Sequence, residues 1–260
     1  MAPTLVIVPG SFCPSEVYDP VLDPLRQKGY TIHALDPPCY PKNYKQGVAA
    51  PTMYDDAEFV SNYVQTLADK GEDVVLLSHS YGGIPATEAL KGLTKTERTA
   101  QGKKGGVTHA AYLTALVPEV GGSLGTTLKG GAAPLDVDDG WLRHSQPAET
   151  AHLAFTNLPA ERGIQLAANL GRHSATCFSD ALTHPGYRDV SVSWGFCEED
   201  ICVNPEVQQT AIDVIEASWK GTEREGQKVD VTRLKVDHMP MYSAAEETTK
   251  WVEGLFTKVK

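Results

Sequence analysis

The residues best suited to chemistry lie in the string Ser78-His79-Ser80-Tyr81-Gly82-Gly83, which follows four consecutive apolar residues, 74–77. A serine alcohol is a weak nucleophile and works only when held in the open beside a base. A sharp turn between a buried strand and a helix does this, the arrangement of the Gly-x-Ser-x-Gly elbow. The positions two before and two after the serine must be small, because neighbouring backbone crowds them. Gly82 meets the second demand, and Ser78 stands at the first with one hydroxymethyl group more than glycine. Such a five-residue string arises about 0.3 times by chance in a chain of this composition, so its weight comes from the strand before it and the helix after it. The plain alternative is a strand–helix turn capped by serine.

Acyl chemistry at Ser80 needs backbone N–H donors where the oxyanion develops. Tyr81, the next residue, supplies one. The second is expected from the turn after the first apolar run, Pro9-Gly10-Ser11-Phe12, with Ser11 chosen over Phe12. Gly10 allows the close backbone approach. Phe12, and Met239 near the chain's end, are expected to touch the substrate.

In sheets carrying this elbow the acid and then the base follow the nucleophile along the chain. Of the eight histidines only His238 follows a late strand-like run, 229–236, and precedes the last helical segment. His79 is adjacent to Ser80 and must point elsewhere. The histidines between the two halves, His144, His152, His173 and His184, read as surface residues. The acid belongs after the strand-like segment 190–194, where Glu198, Glu199 and Asp200 are consecutive. Position does not separate these three.

These residues need a scaffold that brings distant segments to one edge. Residues 5–8, 31–35, 73–78, 109–116, 190–194 and 229–236 read as strands, most of them buried apolar runs. Helical patterns lie between them at 18–28, 52–70, from 81, at 205–219 and at 243–259. This alternation implies a doubly wound, mostly parallel sheet with helices on both faces. Residues 37–51 read as a surface excursion and 94–106 as a solvated loop. Residues 118–187 show no strand at the sheet period and are too long for a connection. The expected division is therefore a core of residues 1–117 and 188–260 with an inserted helical cap, 118–187.

Composition narrows the partners. With 260 residues the chain can bury a full core, and 41% hydrophobic against 22% charged residues excludes disorder. A net charge of −10 disfavours nucleic acid and acidic membranes. No apolar run approaches the 18–20 residues or so that span a bilayer, and residues 5–8 read as a strand, not a secretion signal. Five cysteines cannot all pair and read as reduced thiols in a cytoplasmic protein, monomer or homodimer. The short spacings of zinc sites are absent, so neither metal nor other cofactor is expected.

With these motifs in place, the chain resembles the α/β-hydrolases, and within them the branch of plant methylesterases and hydroxynitrile lyases. Four segments carry the resemblance: Leu5-Val6-Ile7-Val8-Pro9-Gly10-Ser11; Ser78-His79-Ser80-Tyr81-Gly82-Gly83; Asp200-Ile201-Cys202-Val203-Asn204-Pro205-Glu206-Val207-Gln208; and Asp237-His238-Met239-Pro240-Met241-Tyr242-Ser243. It covers about 190 residues of the core. It implies Ser80 as nucleophile, Asp200 as acid, His238 as base, and Ser11 and Tyr81 as oxyanion donors. Gly10 and Met239 stand where the lyases carry Thr and Lys, so cyanohydrin cleavage is not implied. The leading expectation is a serine hydrolase of a small ester or lactone, in secondary metabolism. The alternatives are a lyase, dehydratase, cyclase or acyl-transfer enzyme using the same triad, and a non-catalytic receptor. Trp141, His144, Phe155, Phe178 and Met239 are the candidate pocket walls.

Overall fold

A computed structural model describes residues 2–41, 44–128 and 133–258. Its first half runs β1 (Thr4–Val8), α1 (Asp19–Gln27), β2 (Ile32–Ala34), α2 (Met53–Asp69), β3 (Asp73–His79), α3 (Gly83–Ala89), α4 (Lys95–Ala100) and β4 (Gly106–Leu113). There follow α5 (Leu124–Thr127), β5 (Leu135–Asp138), β6 (Trp141–His144), α6 (Pro147–Ala154), α7 (Ala160–Ala167) and β7 (Arg172–Ser174). The chain ends with β8 (Ser191–Cys197), α8 (Pro205–Ser218), β9 (Asp230–Leu234), α9 (Pro240–Ser243) and α10 (Ala245–Leu255).

Six strands form one parallel sheet in the order β2-β1-β3-β4-β8-β9. β1 is buried along its whole length and β3 everywhere after its first residue, as a sheet covered on both faces requires. On one face α2, α3 and α8 bring Val60, Val64, Ile84 and Ile212 against Leu76 and Trp194. On the other, α1 and α10 bring Leu22, Leu25, Val252 and Leu255 against Leu5, Leu77 and Leu113. Local signals set the ends: Thr52 and Asp55 form a capping box at the start of α2.

The register aligns the carboxyl ends that matter. Val8 pairs with Ser78, His79 with Leu113, Leu113 with Gly195, and Cys197 with Leu234. The loops leaving β1, β3, β4, β8 and β9 therefore meet at one edge, where open α/β sheets form their binding crevice.

Three expectations need correction. Residues 94–106 are not a solvated loop: Thr94 and Glu97 form a capping box that starts α4. Its Arg98 is buried and donates to Asp69 at 2.7 Å and to the Lys104 and Gly105 carbonyls. The 37–51 segment is not wholly on the surface, since Cys39 and Tyr40 are buried in the core; its Lys42 and Asn43 lie outside the described residues. Residues 118–187 are not purely helical, for β5, β6 and β7 form an antiparallel sheet. Asp139 and Gly140, both with positive φ, make the two-residue turn between β5 and β6.

Candidate active site

Ser80 follows the last residue of β3 with φ 51°, a left-handed conformation that non-glycine residues seldom adopt. Crowding forces the elbow. A Cβ on Gly82 would lie 2.4 Å from the Pro9 and Val8 carbonyl oxygens, and one on Gly83 2.5 Å from that of Leu116. A Cβ on Gly10 would sit 2.9 Å from the Ser80 Cβ. Ser78 is accommodated because its hydroxyl lies 3.4 Å from the Ala111 carbonyl.

The loop after β9 brings His238 Nε2 to 3.0 Å from Ser80 Oγ. His238 Nδ1 lies 2.6 Å from Asp200 Oδ2. Asp200 is completely buried and has a donor for every lone pair that matters: Thr114 Oγ1 at 2.5 Å on Oδ2, and the Cys202 and Val203 N–H groups at 2.7 and 2.9 Å on Oδ1. Thr114, at the end of β4, itself has φ 35°. Glu198 and Glu199 lie elsewhere. Glu198 faces Arg233 at 3.6 Å, and exposed Glu199 accepts from Asn157 Nδ2 at 2.7 Å. Of the three consecutive carboxylates, Asp200 alone meets the imidazole.

The turn after β1 closes with Cys13 N donating to the Gly10 carbonyl, 3.2 Å. Ser11 and Phe12 are thus its central residues, and Phe12, with φ 63°, takes the position where such a turn needs a positive φ. The turn's own hydrogen bond leaves the Ser11 and Phe12 N–H groups unused, and both residues line the cleft beside Ser80. The Tyr81 side chain points away from it. Its hydroxyl donates to Asp56 Oδ2 at 2.9 Å, so only the Tyr81 backbone can serve an oxyanion. Burial pushes the Asp56 carboxyl up to about 7.

Two further buried groups fix the loops. His79 lies with Nδ1 2.8 Å from the Tyr18 hydroxyl and Nε2 2.9 Å from the His238 carbonyl oxygen. Burial, and secondarily the adjacent His238, pushes His79 down to about 3, so it is neutral. Asp237 accepts from Met239 N, Ser243 Oγ and, from the insertion, Asn157 N. Tyr18, Thr114 and Asp237 were missed by sequence reasoning. The Asp237–Ser243 pair had a signal in the base-loop string, and the other two had none.

Above Ser80 opens a cleft walled by Phe12, Leu116, Leu124, Leu153, Phe178 and Met239, among others. Among the described residues no Asp, Glu, Lys or Arg lines it. The expected wall residues His144, Phe178 and Met239 are there, whereas Trp141 and Phe155 are not. Trp141 donates to the Val48 carbonyl, and Phe155 packs in the core. His173, expected at the surface, is fully buried among Phe12, Tyr40, Tyr81 and Phe178, and neither ring nitrogen has a partner. Cys39, Asp56 and Cys177 gather within 4.8 Å, outside the cleft.

A parallel sheet whose carboxyl edge carries a strained serine beside a histidine defines a class of enzymes, and comparison with known proteins agrees. Residues 5–251 match the alpha/beta hydrolase family, and the chain belongs to it. A probable hydrolase, R7, of Phoma sp. is 33% identical over 247 residues, covering 94% of each chain. Tomato methylketone synthase I, solved with 2-tridecanone, superposes with a TM-score of 0.74 at 18% identity over the full length of both chains. Polyneuridine aldehyde esterase gives 0.71 at 20% identity, covering 98% of this chain and 99% of its own. These likenesses bear out the α/β-hydrolase fold. Among the described residues no helix is long and apolar enough to cross a membrane.

Proposed function

We propose that the protein is a serine hydrolase that cleaves a small, uncharged ester or lactone through an acyl-enzyme. The observation that carries this reading is the unbroken hydrogen-bonded line from Asp200 through His238 to Ser80 at the floor of an apolar cleft. Ser80 Oγ attacks the carbonyl while His238 Nε2 takes its proton. Asp200, unable to leave its four donors, holds the ring with Nδ1–H toward it and stabilises the imidazolium that forms. The Ser11 and Tyr81 N–H groups receive the oxyanion. His238 returns the proton to the departing alkoxide, then activates the water that releases the acid. Residues 118–187 serve as the lid, and Phe12 and Met239 hold the substrate against Ser80. No step needs a metal or organic cofactor, so EDTA leaves turnover unchanged.

Fluorophosphonate labelling is the direct test. The reading expects one adduct, on Ser80, and loss of both adduct and ester turnover in Ser80→Ala. Ester turnover that survives Ser80→Ala overturns it. A protein that converts a substrate without ever taking the label belongs instead to the lyase or acyl-transfer alternative.

A further inference from the structure

The polar side chains of the cleft come from two places. Ser11, Ser80 and His238 stand on the sheet edge, and His144 and Thr150 stand on the insertion, at the end of β6 and in α6. His144 Nδ1 lies 2.9 Å from Thr150 Oγ1, whose hydroxyl also lies 3.3 Å from the Gln146 carbonyl oxygen. With the hydroxyl bonded back to the Gln146 carbonyl four residues earlier, as threonines near helix starts commonly are, it accepts from Nδ1–H. That leaves His144 Nε2 a bare lone pair, and among the described residues it takes no hydrogen bond. The Phe12 ring, 4.4 Å away and tilted 60°, fixes the imidazole plane. Burial pushes His144 down to about 4 and keeps it neutral.

We propose that His144 Nε2 accepts a hydrogen bond from a substrate hydroxyl, so that the enzyme selects a neutral, largely aliphatic ester bearing one hydroxyl away from the scissile carbonyl. The inference rests on the ester-hydrolase reading, and binding separates the two. Ser80→Ala protein is titrated by calorimetry with methyl hexanoate and with its counterparts carrying one hydroxyl or one keto group along the chain. One hydroxy ester binds at least about fivefold tighter than the plain ester, the worth of one neutral hydrogen bond. The same ratio, measured again after adding His144→Phe or Thr150→Val, falls toward one. Equal affinities, a keto ester as the best ligand, or a ratio unmoved by both substitutions overturns the proposal. Wild-type turnover of the same esters tests the hydrolase reading separately.

A second inference concerns two buried cysteines outside the cleft. Cys39, after β2, and Cys177, in the insertion beside the wall residue Phe178, have sulfurs 2.9 Å apart, both fully buried. A disulfide of about 2.05 Å lies less than 1 Å from that separation. A tetrahedral zinc with Zn–S bonds of about 2.3 Å would instead hold the sulfurs roughly 3.8 Å apart. We infer that these two form a disulfide tying the insertion to the core. Oxidised glutathione serves as oxidant: each thiol gives up a proton and one electron, and two reduced glutathiones leave. Burial pushes the Cys39 thiol up, so exchange proceeds in the opened chain and not in the folded one.

The test refolds the protein in a glutathione redox buffer, then counts thiols under denaturing conditions and maps the linked peptides. Three thiols and a Cys39–Cys177 link support the inference, with a melting temperature several degrees above that of the reduced protein and no such gain in Cys39→Ala. Five thiols, a link between another pair, or five thiols with one bound metal ion overturns it.

Discussion

The Tyr18 hydroxyl lies 2.8 Å from His79 Nδ1, and that contact joins the three loops that meet at Ser80. Gly10 N donates to the same hydroxyl at 2.8 Å, and His79 Nε2 lies 2.9 Å from the His238 carbonyl oxygen. A carbonyl only accepts, so Nε2 carries the ring's single proton, Nδ1 is the acceptor, and Tyr18 donates to it. One buried chain thus runs from the Gly10 turn through the residue before Ser80 to the His238 loop.

Tyr18→Phe should therefore affect both stability and rate. It leaves the Gly10 N–H and His79 Nδ1 without partners inside the protein, at about 1–3 kcal/mol each. Since small misplacements at a reacting centre are costly, kcat is expected to drop about tenfold with the fold retained. Urea unfolding and steady-state kinetics on the same preparation check both halves. An unchanged kcat would mean the three loops hold their geometry without this chain.

The elbow's small residues are unequal. In Gly82→Ala the new methyl would lie 2.4 Å from two carbonyl oxygens that cannot withdraw without breaking β1. Overpacking of this kind costs about 1–3 kcal/mol or more. Ser78→Gly, which restores the commoner residue, removes only one weak hydrogen bond, at 3.4 Å. Denaturant midpoints should rank Ser78→Gly close to the parent and Gly82→Ala well below it.

What could be read from the sequence was what local signals encode. Val74 to Leu77 running into Ser80 and Gly82 identifies an elbow, because strand, strained turn and helix all leave marks within ten residues. The acid was ambiguous for a physical reason: Glu198, Glu199 and Asp200 differ only in which way the chain faces them, and that is decided by Thr114, 86 positions from Asp200. Tyr18 meets His79 across 61 positions with no pattern linking them. The β5–β6 hairpin did leave a signal, Asp139-Gly140. Its strands are four residues each, and exposed Val137 breaks the expected apolar face. Likewise Thr94 and Glu97 spelled a helix start inside a stretch whose polarity suggested a loop.

Stability should fall in mild acid, and the sign follows from which state holds more protons. Burial pushes His79 and His173 down to about 3 and His109 and His144 to about 4, against about 6.5 when unfolded. Between those limits the unfolded chain binds more protons, so stability is complete above about pH 6.5 and is lost as pH falls through the window. Asp56 opposes this. Raised to about 7, it keeps a proton that the unfolded chain sheds, and its contribution fades as pH rises toward 7. Four histidines outweigh one carboxyl, so unfolding free energy is expected to be lower at pH 5 than at pH 7. In His173→Phe the difference should shrink; an equal or larger difference would show that His173 does not titrate on unfolding.

The acid can be settled by charge without shape. Asp200→Asn keeps the volume, and its carbonyl can still accept from the Cys202 and Val203 N–H groups at the Oδ1 position. The amide nitrogen then faces His238 Nδ1 and Thr114 Oγ1, where two donors already point. The only relief is for the imidazole to move its proton to Nε2, which removes the lone pair that would take the Ser80 proton. Turnover is expected to fall about 10⁴-fold, with folding retained, since the wrong tautomer is as disabling as a missing base. Glu198→Gln removes a contact of 3.6 Å to Arg233 at the surface, and Glu199→Gln keeps an acceptor for Asn157, so each should cost less than about tenfold. Side-by-side kcat values for the three variants decide it. If Glu198→Gln or Glu199→Gln is the disabling change while Asp200→Asn stays active, the 2.6 Å contact between Asp200 and His238 is not the one that orients the base.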